Sequence, residues 1–217
     1  CSRRDVTGMN ARCVDSLCLI LVMLLAMMFA LAGCKSGGLI GMQEDANKPM
    51  EQAIFWGTTG KMTIETPFKM GTKAEKIPLE GDGAEAFNQA ESFTGTGNGM
   101  AVTIQHGVLK TEIAKNVEAQ VDEFLDAAAD GDVEVIKETK KFRNIKIVSN
   151  QAKKIHQNAC RLVVVTYDDN KGPYQTKLLY GVKGQDVWRI GIDMSASDHL
   201  ADQYSDKIVD SFTMEGK

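Results

Sequence analysis

The residues of this 217-residue chain best suited to chemistry are its five cysteines and three histidines. A cysteine thiolate is a nucleophile and a metal ligand, and a histidine transfers protons or binds metals. One cysteine is distinguished by its setting: Cys34 follows Gly33 directly after an unbroken apolar run at residues 17–32.

The apolar run has the features of an export signal. It contains 16 residues, ends in small side chains, and is preceded by positive charges at Arg3, Arg4 and Arg12. A membrane-spanning helix normally needs about 20 apolar residues. The competing interpretation is an uncleaved signal anchor, which Gly37 and Gly38 disfavour because glycine weakens a helix that would otherwise extend through Leu39 and Ile40. We therefore predict that residues 1–33 form a signal peptide, with Met9 as a suitable start if translation does not begin upstream of Cys1.

The four residues Leu31-Ala32-Gly33-Cys34 resemble the lipobox of bacterial lipoproteins. This resemblance implies cleavage between Gly33 and Cys34 and attachment of diacylglycerol to the sulfur of Cys34. Each buried methylene contributes about 0.8 kcal/mol, so two or three acyl chains anchor a protein stably. The expected location is the cell envelope, outside the cytoplasm. The residue after the lipidated cysteine is Lys35 and not aspartate. In the enterobacterial sorting rule this favours delivery to the outer membrane, if the host has one.

Composition limits the remaining possibilities. Without residues 1–33, the chain carries 22 Lys plus Arg against 27 Asp plus Glu, a net charge of −5. This mildly acidic balance, with no basic stripe, argues against nucleic acid as a partner. Residues 34–59, which are rich in glycine, are predicted to be the lipidated N-terminus and a tether, with a short helix around residues 50–55. A single globular domain is then expected at residues 60–217.

The other candidate groups have ordinary structural explanations. Only Cys160 keeps a thiol after maturation, so no internal disulfide is possible, and its strand-like surroundings predict a buried, inert side chain. The histidines lack the spacing of a helical metal pair and are expected at the surface or its boundary; they are His106, His156 and His199. No arrangement of serine, histidine and aspartate indicates a nucleophilic site.

Three further clusters are better explained by structure than by chemistry. The glycines of residues 95–99 are followed by a β-branched run rather than a helix, which favours a hairpin turn over a phosphate loop. Residues 168–172 superficially resemble a calcium loop, but the twelfth position is Leu179 instead of glutamate, so a tight hairpin is expected. Carboxylates are expected to form a solvated helix face at Glu118, Asp122, Glu123 and Asp126.

Periodicity predicts an α+β fold. Strands are expected at residues 61–65, 87–95, 100–109, 133–138, 144–150, 159–168, 174–182 and 186–194. Short connections require the last three to be antiparallel neighbours. One helix is expected to be capped by Asn116 and to end at Gly131. A last helix, capped by Ser195 or Ser197, presents an apolar face with Leu200, Tyr204, Ile208 and Phe212.

This element order resembles the PsbP-like fold, together with the opening Lys-Met-Thr-Ile-Glu-Thr-Pro-Phe, the late Val-Trp-Arg-Ile-Gly-Ile and the closing Ala-Asp-Gln-Tyr-Ser-Asp-Lys-Ile-Val-Asp-Ser-Phe. The resemblance covers about residues 60–212. It implies an α-β-α sandwich around a twisted, mainly antiparallel sheet, in a non-enzymatic family whose members mainly bind other proteins. It implies no photosynthetic role.

The sequence therefore predicts a lipid-anchored, extracytoplasmic protein-binding or assembly module of the cell envelope, with Cys34 as its only assigned site. We expect no enzymatic activity, no catalytic residue, no cofactor and no metal site. The alternative is a lipoprotein that binds a small molecule or metal as an accessory to a transporter. A deep pocket with converging polar groups would favour the alternative, whereas an exposed apolar patch over a filled core would favour protein binding.

Overall fold

The computed structural model describes residues 47–216. The predicted signal peptide, Gly33 and the lipid-attachment site Cys34 lie outside the described residues. The strands are β1 (Glu51–Trp56), β2 (Gly60–Thr66), β3 (Glu75–Lys76), β4 (Phe87–Gly97), β5 (Met100–Leu109), β6 (Arg143–Ile155), β7 (Asn158–Asp169), β8 (Gly172–Lys183), β9 (Asp186–Ser195) and β10 (Thr213–Gly216). The helices are α1 (Asp82–Ala86), α2 (Thr111–Ala119), α3 (Val121–Glu138) and α4 (His199–Asp210).

The strands form two antiparallel sheets. The large sheet has seven strands in the order β3-β4-β5-β9-β8-β7-β6, and the small sheet has three in the order β1-β2-β10. The predicted antiparallel arrangement of the last three long strands is confirmed, since β8 pairs with both β7 and β9. The fold is thus α+β with antiparallel sheets.

Alternating side chains of the large sheet enter two separate cores. On one face, α2 and α3 cover the sheet and enclose what we call the helical core, which includes Leu125, Ile136, Val163 and Leu178. On the other face, α4 and the small sheet enclose the small-sheet core, which includes Ile64, Ile104, Ile190 and Phe212. Helices therefore lie on both faces, but the small sheet was not predicted. In the part of the chain that is described, no helix is long and apolar enough to cross a membrane.

Both predicted hairpin turns are confirmed. Asn98 and Gly99 join β4 to β5 with φ angles of 47° and 72°. A two-residue turn with positive φ at both positions matches the twist of the flanking strands, which explains the Asn-Gly pair. Between β7 and β8, the backbone amide of Lys171 donates a hydrogen bond to the Asp169 carboxylate at 2.6 Å, which closes a tight turn.

The helix predicted to end at Gly131 instead continues to Glu138, so the strand predicted at residues 133–138 is wrong. Val133 and Ile136 extend the buried stripe of α3, and packing on the sheet outweighs the cost of about 1 kcal/mol for a helical glycine. Asn116 lies inside α2 rather than at a cap.

Two other local predictions are wrong. Asp198, not Ser195 or Ser197, caps α4 by accepting a hydrogen bond from the Ala201 amide at 2.8 Å. The short helix expected around residues 50–55 is strand β1, so the predicted tether does not extend to residue 59. Pairing with β2 turns Phe55 and Ala53 towards the small-sheet core, and this packing stabilises the strand.

Candidate functional site

The candidate site is a groove along the free edge of β1, which we call the β1 groove. Within residues 47–216, β1 is an edge strand that pairs with β2 on one side. Along its other side lies a cavity of about 410 Å³, lined by β1, Thr66, residues 68–72 and Phe93. A strand edge presents backbone amides and carbonyls that can pair with another chain. The groove thus combines main-chain hydrogen-bonding groups with space for side chains.

The floor of the groove is apolar and aromatic. Phe55 points inward from β1, and its ring centroid lies 4.8 Å from that of Phe93 on β4, at an interplanar angle of 59°. Phe68 and Met70 are buried in the same core. Tilted aromatic pairs of this kind contribute about 0.5–1.5 kcal/mol beyond the area that they bury. A ligand side chain entering the groove would therefore meet a preformed hydrophobic surface.

The wall opposite β1 is fixed to the large sheet. The backbone amide of Gly71 donates a hydrogen bond to the Thr94 carbonyl at 2.9 Å, so residues 68–72 run along β4. Gly95 permits this close approach, because a Cβ there would lie 2.6 Å from the Met70 sulfur. Both sides of the groove are consequently held by backbone or core contacts.

The end of β1 is held by Asp186, the first residue of β9. Its carboxylate accepts hydrogen bonds from the Thr58 amide at 2.8 Å, the Thr59 amide at 2.7 Å and the Thr59 hydroxyl at 2.6 Å. Burial alone would raise the pKa of Asp186, but hydrogen bonds from His106, Thr59 and the two amides lower it to about 2. The Asp186 carboxylate therefore attaches the β1–β2 turn to the large sheet.

His106 completes this attachment, and the prediction that it lies at the surface or its boundary is wrong. It is 2% exposed, and its ring stacks on Trp188 with centroids 4.0 Å apart. Its Nε2 lies 2.9 Å from Asp186 Oδ1, and its Nδ1 lies 3.1 Å from Glu91 Oε1. The ring thus lies between two carboxylates, one on β4 and one on β9. We call Glu91, His106 and Asp186 the histidine bridge.

The beginning of β1 is held independently. The Tyr204 hydroxyl of α4 donates a hydrogen bond to the Lys48 carbonyl at 3.2 Å, and Met50 packs against the small-sheet core. The strand is thus fixed before its first residue and after its last. A binding edge that is already ordered loses less conformational entropy when a ligand binds.

A second buried polar cluster lies on the other face of the large sheet, under α3. The Asp132 carboxylate accepts hydrogen bonds from the Tyr180 hydroxyl and, at 2.5 Å, from Arg189 Nε. Arg189 Nη1 also donates to Gln105 at 2.8 Å. Burial and the Asp132 charge raise the pKa of Tyr180 well above its usual value. This cluster does not contact the β1 groove, so we assign it a structural function under α3.

Most of the remaining predicted groups lie where the sequence placed them. Cys160 is buried, and burial raises the pKa of its thiol to about 12, as expected for an inert side chain. His156 and His199 are exposed. The acidic face of α2 and α3 is solvated, and its partly exposed Asp126 pairs with Arg161. Among the described residues, no three histidine, cysteine, aspartate or glutamate side chains cluster as metal ligands.

Sequence reasoning missed the groove and the histidine bridge. A signal for β1 was present in the run Gln-Ala-Ile-Phe-Trp, whose large apolar residues are unusual in a tether. No comparable signal marked the bridge, because His106 and Asp186 are 80 positions apart. Their proximity depends on the register that places His106 opposite Trp188.

No family model and no curated protein matches this sequence. Among solved structures, the chain is similar to a protein of unknown function, PA94, from Pseudomonas aeruginosa, with 10% identity, a TM-score of 0.38, and coverage of 76% of this chain and 99% of that one. It is also similar to cyanobacterial PsbP (CyanoP) from Synechocystis sp. PCC 6803, with 9% identity, a TM-score of 0.45, and coverage of 84% and 99%. The immunity protein TplEi of Pseudomonas aeruginosa, in complex with a peptide, gives 12% identity, a TM-score of 0.35, and coverage of 88% and 84%. At these values the similarities carry no information on function.

Proposed function

We propose that this protein is a lipid-anchored, extracytoplasmic module of the cell envelope that binds an extended segment of a partner protein in the β1 groove. It acts without catalysis, and Cys34 holds it to the membrane. We also propose that its domain belongs to the PsbP-like family, on the basis of the element order and the three sequence segments quoted above. The observation that carries the binding function is the free edge of β1 beside an aromatic floor.

The anchoring part of the proposal rests on the sequence around Cys34. We expect metabolic labelling with a fatty-acid analogue to tag the wild-type protein and to be lost in Cys34→Ala, because the thioether sulfur is then absent. Cys160→Ala is the matched control, since it removes the other cysteine of the mature chain and should keep the label. Equal labelling of Cys34→Ala and wild type would refute lipid attachment at this residue.

The binding part of the proposal rests on the chemistry of an exposed strand edge. A peptide that adds a strand to such an edge gains main-chain hydrogen bonds, and its alternate side chains enter neighbouring pockets. In the β1 groove, inward side chains of the peptide would contact Phe55 and Phe93. An extended protein segment would use both the main-chain groups of the β1 edge and the aromatic floor, whereas a small ligand would use the floor alone.

The site can be tested by crosslinking in intact cells. We expect a photo-reactive amino acid at Lys69, an exposed position on the wall opposite β1, to capture a partner that is not captured from Gln151, an exposed position on β6. Phe93→Ala should reduce capture about ten-fold or more, since truncating an aromatic anchor at an interface costs about 2 kcal/mol.

Phe142→Ala is the matched control for Phe93→Ala. Phe142 is also partly buried, but it packs on Tyr167 in the helical core, with ring centroids 4.1 Å apart. Both variants lose an aromatic contact, and only one changes the groove. Equal loss of capture in the two variants would show that destabilisation explains the effect, and the groove would be excluded as the binding site.

The size of the groove favours one alternative, a lipoprotein that binds a small molecule for a transporter. Its 410 Å³ falls within the range of about 300–1,000 Å³ that is typical of small-molecule sites. Native mass spectrometry of the purified protein distinguishes the two functions. A bound small molecule that is lost in Phe93→Ala, together with no crosslinked protein from Lys69, would favour the alternative.

A further inference from the structure

We infer that the outward face of β1, which carries Ile54 and Trp56, lies against the lipid surface to which the chain is anchored. The domain would then have a fixed side towards the membrane. This inference rests on the lipid anchoring proposed above, but it concerns different side chains from the groove floor. Phe55 points inward from β1, whereas its neighbours Ile54 and Trp56 point outward.

Exposed apolar side chains are concentrated on this face. Ile54 is 45% exposed and Trp56 is 67% exposed. They lie two positions apart, opposite Thr63 and Lys61 of β2, so they share one side of the small sheet. Tryptophan is enriched at membrane interfaces, because its large apolar ring and its polar N–H suit the headgroup region. An exposed tryptophan beside an exposed isoleucine has the composition of an interfacial contact.

The length of chain before β1 places this face near the anchor. Twelve residues lie between Cys34 and Asn47, where the described structure begins. The thirteen Cα–Cα steps from Cys34 to Asn47 span at most about 45 Å. A domain of this size has a radius of gyration of about 15 Å, so the tether holds it close to the bilayer. The contact of Tyr204 with Lys48 fixes the tether to the start of β1.

The charges on this face point to an apolar contact rather than an electrostatic one. Lys61 pairs with Glu215 at 3.1 Å, and Glu65 lies on the same side of β2. The face has no excess of positive charge that would attract anionic lipid. A weak apolar contact suffices here, because tethering gives the face a high effective concentration at the bilayer. The β1 groove would open beside the membrane surface, which suits a membrane-proximal partner segment.

The two tryptophans of the chain make the inference directly testable. Trp56 is largely exposed, whereas Trp188 is 2% exposed in the small-sheet core. The lipidated mature protein is reconstituted into phosphatidylcholine vesicles with brominated or ordinary acyl chains, and association is measured by flotation. We expect bromine to quench wild-type emission, and the emission of Trp56→Phe, which comes from Trp188 alone, to be the same in both lipids. Quenching should persist at high salt concentration.

A relocated tryptophan provides the matched control. In the Trp56→Phe background, Val148→Trp places the indole at a position that is 55% exposed in the wild type, on β6. This edge of the large sheet lies five strand spacings, or about 24 Å, from β4 beside the groove. We expect no quenching there. The inferred orientation is wrong if the protein floats with the vesicles but Trp56 is not quenched, or if tryptophans at positions 56 and 148 are quenched equally. Either result leaves the anchoring intact. Absence of flotation would overturn both.

Discussion

Replacing Asp132 with alanine should lower the free energy of unfolding by about 3–5 kcal/mol, because it leaves the Arg189 guanidinium buried without its carboxylate. Asp132 is fully buried in α3, and Arg189 lies in the middle of the sheet on β9. Tyr180 would also lose the acceptor of its hydroxyl. Removing one partner of a buried ion pair lowers stability, because the remaining charge stays buried and cannot recover its hydration. Urea denaturation followed by far-UV circular dichroism would measure the change.

Two controls separate the buried charge from the loss of a helical side chain. Asp130→Ala alters an exposed aspartate on the same helix, which accepts a hydrogen bond from Asn150 at 3.0 Å, and should change stability by less than about 1 kcal/mol. The double variant Asp132→Leu with Arg189→Met replaces the pair with apolar groups and should recover most of the loss. If Asp132→Ala costs no more than Asp130→Ala, the pair has no structural importance.

The strands of the large sheet were predictable because each carries its own pattern. In β9, Ile190 and Ile192 alternate with Arg189 and Gly191, which indicates a strand without reference to any neighbour. The secondary-structure predictions were wrong where tertiary packing decides between two local structures. The end of α3 has the β-branched composition of a strand, yet Val133 and Ile136 complete a buried helical face.

The candidate site was not predictable because its parts come from distant segments. The groove requires β1, residues 68–72 and Phe93, and the segment containing β1 has tether-like glycines on both sides. The histidine bridge requires the register of β5 against both β4 and β9. The apolar pattern of each strand can be recognised locally, but which strands are neighbours, and hence which residues face each other, depends on the whole fold. The lipobox, by contrast, is contiguous and needs no fold.

Asp186→Asn should destabilise the protein by about 2–3 kcal/mol at neutral pH and weaken the attachment of the β1–β2 turn. The wild-type pKa of Asp186 falls from 3.8 to about 2 in the folded state, which corresponds to about 2 kcal/mol, and its side chain is only 3% exposed. Asparagine removes the negative charge that faces His106. Hydrogen exchange at Thr58 and Thr59 should accelerate, since their amides donate to this carboxylate.

The contribution of the Asp186 carboxylate to the free energy of unfolding should depend on pH. Because folding lowers the pKa of Asp186, its stabilisation is fully present above the unfolded value of 3.8 and is lost as pH falls through about 2. The difference in unfolding free energy between wild type and Asp186→Asn should therefore shrink between about pH 4 and pH 2. Asp210→Asn is the control, because that carboxylate is largely exposed in its pair with Lys153 and should have little effect at any pH. A wild-type advantage over Asp186→Asn that stays constant down to pH 2 would show that the carboxylate charge does not hold the turn.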